Sequence, residues 1–215
     1  MPHRQALLSG SLVIVAATSV WLLAAHARTQ VVEAGFWFED VTFDASEVEA
    51  DRLGGGVTRD EMARIQLVAL SELRAAFAGM RIAFSDSRDT TFSVRVAQTL
   101  KHPVFRTSGY AGESRGMWPL GGQGAVNFRL LASHAIAYAP PGADRAMKID
   151  AIGRGVGRAA AHEFAHQILG SKDIHHGGDI LSYEYGNADR REQYYGSMHW
   201  DVAGPMLRER LKPPI

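Results

Sequence analysis

The spacing of apolar positions changes several times along the chain, and each change predicts a different element. Phe36, Phe38, Val41 and Phe43 mark a first strand. Thr58-Arg59-Asp60-Glu61 then forms a capping box, which opens a helix with apolar positions at Met62, Ile65, Ala69, Leu73 and Ala76. Gly79 ends that helix. Two alternating runs follow, Met80/Ile82/Phe84 and Phe92/Val94/Val96, around the turn-rich Ser85-Asp86-Ser87-Arg88-Asp89, and they predict two neighbouring strands with one buried face. Glycine and proline are dense over 102–124, which predicts irregular chain there. Val126/Phe128/Leu130 and Ile136/Tyr138 predict a further pair of strands about Ala132-Ser133, and Pro140-Pro141-Gly142 closes the sheet region.

Helical spacing returns over 145–169, where Ile149, Ile152, Val156, Ala160, Phe164 and Ile168 offer one broad buried face. Gly153, Gly155 and Gly157 weaken its early turns. Gly170 is placed to stop the helix in the left-handed conformation, and the last 45 residues read as mostly irregular before a short helix near 202–211.

The beginning of the chain has a different character. Met1-Pro2-His3-Arg4 precedes an apolar run over 6–25, and Ala25-His26-Ala27 presents small residues at the spacing a signal peptidase reads. Residues 1–27 are therefore expected to be a signal peptide. The run is also about the ~20 residues that cross a bilayer, so a retained signal anchor is the alternative. Residues 28–215 have room for one compact domain. Either form of the leader predicts an exported chain, secreted, periplasmic or held at the cell envelope, touching a membrane only through this segment.

There is no cysteine, so stability must come from the core and any bound metal rather than from disulfides. Lys plus Arg and Asp plus Glu are equal at 23 each, with no long run of either sign, which excludes a nucleic-acid footprint. A monomer is expected.

The chemistry concentrates in His162-Glu163-Phe164-Ala165-His166. On a helix, side chains four apart share a face, so the two imidazoles can converge on one metal ion, with Glu163 alongside. Zinc held by neutral nitrogens keeps an open position and acidifies water there to a pKa of about 7, and an adjacent carboxylate can take the proton as general base. Glu163 is the residue for that role. One catalytic zinc ion is expected.

A helix bearing H-E-x-x-H, a glycine that turns the chain, a third donor three residues later and a downstream methionine resemble the metzincin clan. The matching residues are Gly170-Ser171-Lys172-Asp173 and Ser197-Met198-His199. The resemblance implies a zinc endopeptidase acting on protein or peptide. Its fold would be α+β: a twisted mixed sheet with two main helices above the cleft, and a small C-terminal subdomain whose Met198 forms a hydrophobic floor below the metal. It also implies a peptide extended along an edge strand, expected here near 126–131.

The chain departs from the pattern at Leu169, which stands where the clan has its glycine, Gly170 following one residue later. Keeping glycine plus three selects Asp173 as third ligand, a spacing similar to that of the immunoglobulin A metallopeptidases. His175 and His176 are the competing donors. Trp200 stands two residues after Met198, where some metzincins have a tyrosine; an indole N–H only donates, and Tyr194 and Tyr195 are the nearby phenols.

In the other large H-E-x-x-H group, the gluzincins, the third ligand is a later glutamate, and Glu184 lies 18 residues after His166. Asp179, Glu184, Asp189 and Glu192 form an acidic stretch better explained by pairing with Arg190 and Arg191 than by calcium. A further alternative is a non-catalytic, zinc-stabilised envelope binding domain.

Overall fold

The computed structural model describes residues 31–43, 47–100, 112–170, 190–198 and 200–212. Residues 1–27, expected to be a signal peptide or anchor, the expected donors Asp173, His175, His176 and Glu184, and the acidic Asp179 and Asp189 lie outside the described residues.

The described residues form a mixed α and β fold, with a five-stranded, mostly parallel sheet and six helices. The strands are β1 (Val32–Phe38), β2 (Ile82–Ser85), β3 (Phe92–Ala97), β4 (Gly112–Met117) and β5 (Gly121–Asn127). The helices are α1 (Glu47–Leu53), α2 (Arg59–Ala76), α3 (Phe128–Ala137), α4 (Arg145–Leu169), α5 (Arg190–Tyr195) and α6 (Ala203–Arg210). The expected mixed sheet and two long helices are present.

The order across the sheet is β2-β1-β3-β5-β4, parallel except for β4, which runs antiparallel to β5 at one edge. Two expectations are corrected by this order. The strands at 82–85 and 92–97 are not neighbours, because β1 lies between them and pairs with both. Much of the glycine-rich stretch expected to be irregular is the β4–β5 hairpin, whose strands share six paired positions.

Phe128, Leu130, Ile136 and Tyr138 do not form strands either. Asn127 caps the Leu130 N–H with its side chain, and α3 begins at Phe128. Its buried positions, Phe128, Leu131, Ala132, Ala135 and Ile136, have the three- and four-residue spacing of one helix face. A helix at 190–195 also appears where irregular chain was expected.

Two helix ends form as the sequence predicts. Thr58 and Glu61 make both bonds of the capping box at the start of α2. Gly170 closes α4 at φ 66°, where a side chain would meet its own backbone, and its N–H donates to the His166 carbonyl.

The two long helices are parallel neighbours, since Glu61–Arg145, Arg64–Asp150 and Glu72–Arg158 pair in matching chain order. Between these pairs the glycines of α4 explain themselves. A Cβ at Gly153 would lie 2.7 Å from the Val68 Cβ and 2.8 Å from the Ile65 carbonyl oxygen, and one at Gly157 would overlap the Ala69 carbonyl oxygen. The glycines reduce helix propensity, but they let two helices approach within backbone contact.

One main hydrophobic cluster runs from Val32 in β1 to Leu211 after α6, through Val94, Val126, Phe128, Ile152, Phe164 and Tyr194. The C-terminal helices belong to this core rather than to a separate one. Trp200 donates its indole N–H to the Ala76 carbonyl at 2.7 Å, and Arg81 N–H donates to the Leu211 carbonyl at 2.9 Å.

Candidate metal centre

Seventeen of the 25 residues of α4 are buried, and four of those carry polar or charged side chains: Arg158, His162, Glu163 and Gln167. A helix this buried is ordinarily apolar throughout, so each polar group requires an explanation from its surroundings. They fall on two adjacent stripes. Arg154, Arg158, His162 and His166 recur every fourth residue along one, and Glu163 and Gln167 lie on the next.

On the first stripe the two imidazoles meet as expected. His162 Nε2 and His166 Nε2 are 3.1 Å apart, with the ring planes at 90°. Two nitrogens each 2.0–2.1 Å from a tetrahedral zinc ion would be about 3.3 Å apart. The pair therefore places two ring nitrogens within hydrogen-bond distance of each other, close to the separation that two zinc ligands would have. Among the described residues no group of three or more His, Cys, Asp or Glu comes together.

On the second stripe Glu163 is only 6% exposed. Burial pushes its carboxyl up to about 8, with the negative charge of Glu113 adding to the effect. A carboxyl held in that range can both accept and return a proton near neutral pH.

The hairpin packs directly on this stripe. A Cβ at Gly112 would stand 2.9 Å from the Glu163 carboxyl carbon, and one at Gly116 2.9 Å from the Gln167 Cα. One at Gly122 would stand 2.6 Å from the Gln167 Cγ, and one at Gly124 3.0 Å from its Nε2. Gln167 Nε2 reaches past them to donate to the Ser93 carbonyl at 3.0 Å, and Ser114 Oγ donates to the Glu163 carbonyl at 3.0 Å. The glycines of β4 and β5 thus bring an edge strand flush against the helix that carries the histidines.

Arg158 was not singled out from the sequence, and the structure gives it a clear task. Buried to 3% exposure, its guanidinium donates to the carbonyls of Glu192, Gln193 and Gly196, each at 2.9 Å, and pairs with Glu72 at 3.1 Å. Arg154 adds a bond to the Tyr194 carbonyl at 2.7 Å, and Gly155 makes room for the Tyr194 ring. These contacts fix the chain two residues before Met198, which is half-buried against the core. The signal was legible: two arginines at i and i+4 in an apolar helix, in line with the two histidines.

The aromatic candidates near Met198 are structural. Tyr194 is buried, Tyr195 donates its hydroxyl to the Ala135 carbonyl at 2.7 Å, and burial pushes that phenol up to about 12. Trp200 packs edge-on against Phe77. The strand expected to receive substrate also needs correction: β5 ends at Asn127, lies between β3 and β4, and gives way to helix at Phe128, so 126–131 offers no sheet edge.

No protein-family profile matches the chain, and comparisons with curated proteins and with solved structures find no significant similarity.

Proposed function

We propose that this chain is a zinc-dependent endopeptidase of metzincin-like type, exported and acting as a monomer on protein or peptide substrates. The observation that carries the reading is the convergence of His162 Nε2 and His166 Nε2 at 3.1 Å, with the buried Glu163 on the neighbouring stripe. His162 and His166 would hold the ion, and Asp173 is the third ligand the resemblance implies, with His175 and His176 as its competitors. Zinc there supplies Lewis acidity toward a scissile carbonyl and toward water.

The rest of the reaction belongs to the chain's own groups. Glu163 takes a proton from the attacking water and returns it to the leaving amine. Burial under Gly112 limits competing bulk water around it. A substrate in extended conformation can add to the sheet at the edge strand β4, whose Gly112 abuts Glu163, and backbone pairing would fix its position with little sequence preference. Met198, anchored through Arg158, would line the floor of the site.

The test compares zinc content and casein hydrolysis for the purified chain and its Glu163→Gln variant. One zinc per chain in both, with hydrolysis at least ~100-fold lower in the variant, is the expected result. Equal hydrolysis by the two proteins would refute the role of Glu163. Zinc in both with cleavage in neither would favour the zinc-stabilised binding domain.

A further inference from the structure

The β4–β5 turn, Met117-Trp118-Pro119-Leu120, carries the two most exposed large apolar side chains among the described residues. Met117 is 64% exposed and Leu120 69%. Turns at a protein surface are ordinarily built from polar residues and glycine, so two bare apolar side chains here are unusual.

The turn has a firm base. Leu120 N–H donates to the Met117 carbonyl at 2.7 Å, Gly122 N–H donates to the Thr91 carbonyl at 2.9 Å, and Trp118 stacks on the buried Phe92 with ring centres 5.6 Å apart. Met117 and Leu120 are thus held outward by a turn that is itself fastened to the core.

Strand register places this turn at one end of the sheet. Ala34 is level with Phe92, Phe92 with Gly122, and Gly122 with Gly116, so β1 begins where the turn protrudes. Val31, 52% exposed, precedes β1 at that same end. Only five residues separate it from Ala25, the last residue of the apolar run, and the six steps between them span at most about 20 Å. The turn is two to three strands away from β1, about 10–15 Å at the usual spacing. A bilayer containing the run at 6–25 is therefore within reach of the turn.

We propose that the apolar run at 6–25 is kept as a membrane anchor rather than removed, and that Met117 and Leu120 form a second membrane contact, an apolar tip that enters the interfacial layer of that bilayer. The exposed charges Asp86, Arg88 and Asp89 in the loop before β3 and Arg115 on β4 are of both signs. The contact is accordingly apolar rather than electrostatic, and zwitterionic lipid suffices. Gln167 packs on Gly116 and Gly122, so the His166 end of α4 is turned toward the same surface. The contact depends on the turn and on retention of the run at 6–25, and not on zinc or on peptidase activity.

The absence of cysteine makes the test direct. Leu120→Cys and, as control, Met147→Cys are introduced separately into the full chain and labelled with an environment-sensitive fluorophore. Met147 lies near the start of α4, 20 residues before Gln167, hence about 30 Å away along the helix. Both proteins are reconstituted in phosphatidylcholine vesicles and isolated by flotation. The expected result is blue-shifted emission and at least twofold quenching by brominated lipid at position 120, with a water-like, unquenched spectrum at 147. A water-like label at 120 on vesicle-held protein, or a full chain that does not float, would overturn the proposal. So would a blue shift at 120 that needs no lipid and grows with protein concentration, which would identify a second copy of the chain as the occupant.

Discussion

Replacing Gly157 by alanine sets two opposing effects against each other in the helix that carries the histidines. Helix propensity alone favours alanine by about 1 kcal/mol. Against this, the new Cβ would overlap the Ala69 carbonyl oxygen and stand 3.0 Å from the Ala69 carbonyl carbon and 2.9 Å from the Glu72 Cβ, where apolar contacts ordinarily begin near ~3.5 Å. The obstacle is mostly backbone, so it cannot be relieved by a change of rotamer. α2 and α4 must separate by roughly 0.5–1 Å, loosening the contact at Gly153 and the Glu72–Arg158 pair as they do. Overpacking of this kind costs about 1–3 kcal/mol, and a backbone obstacle belongs at the upper end. Propensity offsets about 1 kcal/mol, leaving a net loss of about 2 kcal/mol. For a domain of this size that lowers the melting temperature by ~4–8 °C. Urea and thermal unfolding followed by circular dichroism measure it. A Gly157→Ala protein as stable as the parent, or more so, would show that propensity wins and that the helices are not in close contact here.

Three further outcomes are expected. Arg145 holds the Glu61 carboxyl down to about 2 from 4.5, against an opposing contribution from desolvation and with help from the Thr58 amide. Because the folded value is the lower one, this stability is complete above pH ~4.5 and is lost as pH falls through about 2; with Glu61 about a quarter exposed it amounts to roughly 1–2 kcal/mol. Glu61→Gln should flatten the acid limb of the stability profile by that amount, and an unchanged slope between pH 5 and 2 would contradict the pairing. Arg158→Ala removes the Glu72 ion pair and the donors to three carbonyls, and should destabilise by about 3–5 kcal/mol with new proteolytic cutting within 190–198; a loss under ~1 kcal/mol would mean that the C-terminal segment is held by other contacts. Zinc at about 100 times its dissociation constant should stabilise the chain by about 3 kcal/mol in thermal unfolding, a gain removed by chelator and by His162→Ala or His166→Ala, and a variant that keeps the gain would show that zinc binds elsewhere.

Local patterns in the sequence determined what local physics can determine. Thr58 and Glu61 predict the start of α2 because both bonds of a capping box lie within four residues. The limits of α4 follow from apolar spacing and from Gly170, and the convergence of His162 with His166 follows from four-residue separation on any helix. The helix at Phe128 was also legible in principle: Phe128, Leu131, Ala132, Ala135 and Ile136 repeat at helical spacing behind the Asn127 cap. Alternation over the short stretch Val126/Phe128/Leu130 suggests a strand only because it joins the end of β5 to the first turn of α3.

Other features were decided by partners distant in the chain. Nothing within 82–96 indicates that β1, some fifty residues earlier, takes the place between β2 and β3, because backbone pairing is indifferent to side-chain type. Glycines at 112, 116, 122 and 124 suggest irregular chain when considered alone, yet they form strands because Glu163 and Gln167 fill the space where their side chains would be. The same holds for Gly153 and Gly157, which the sequence presents as weaknesses and the fold uses as contacts with α2. A missing Cβ has no preferred neighbour of its own, and its meaning comes from the group that packs against it.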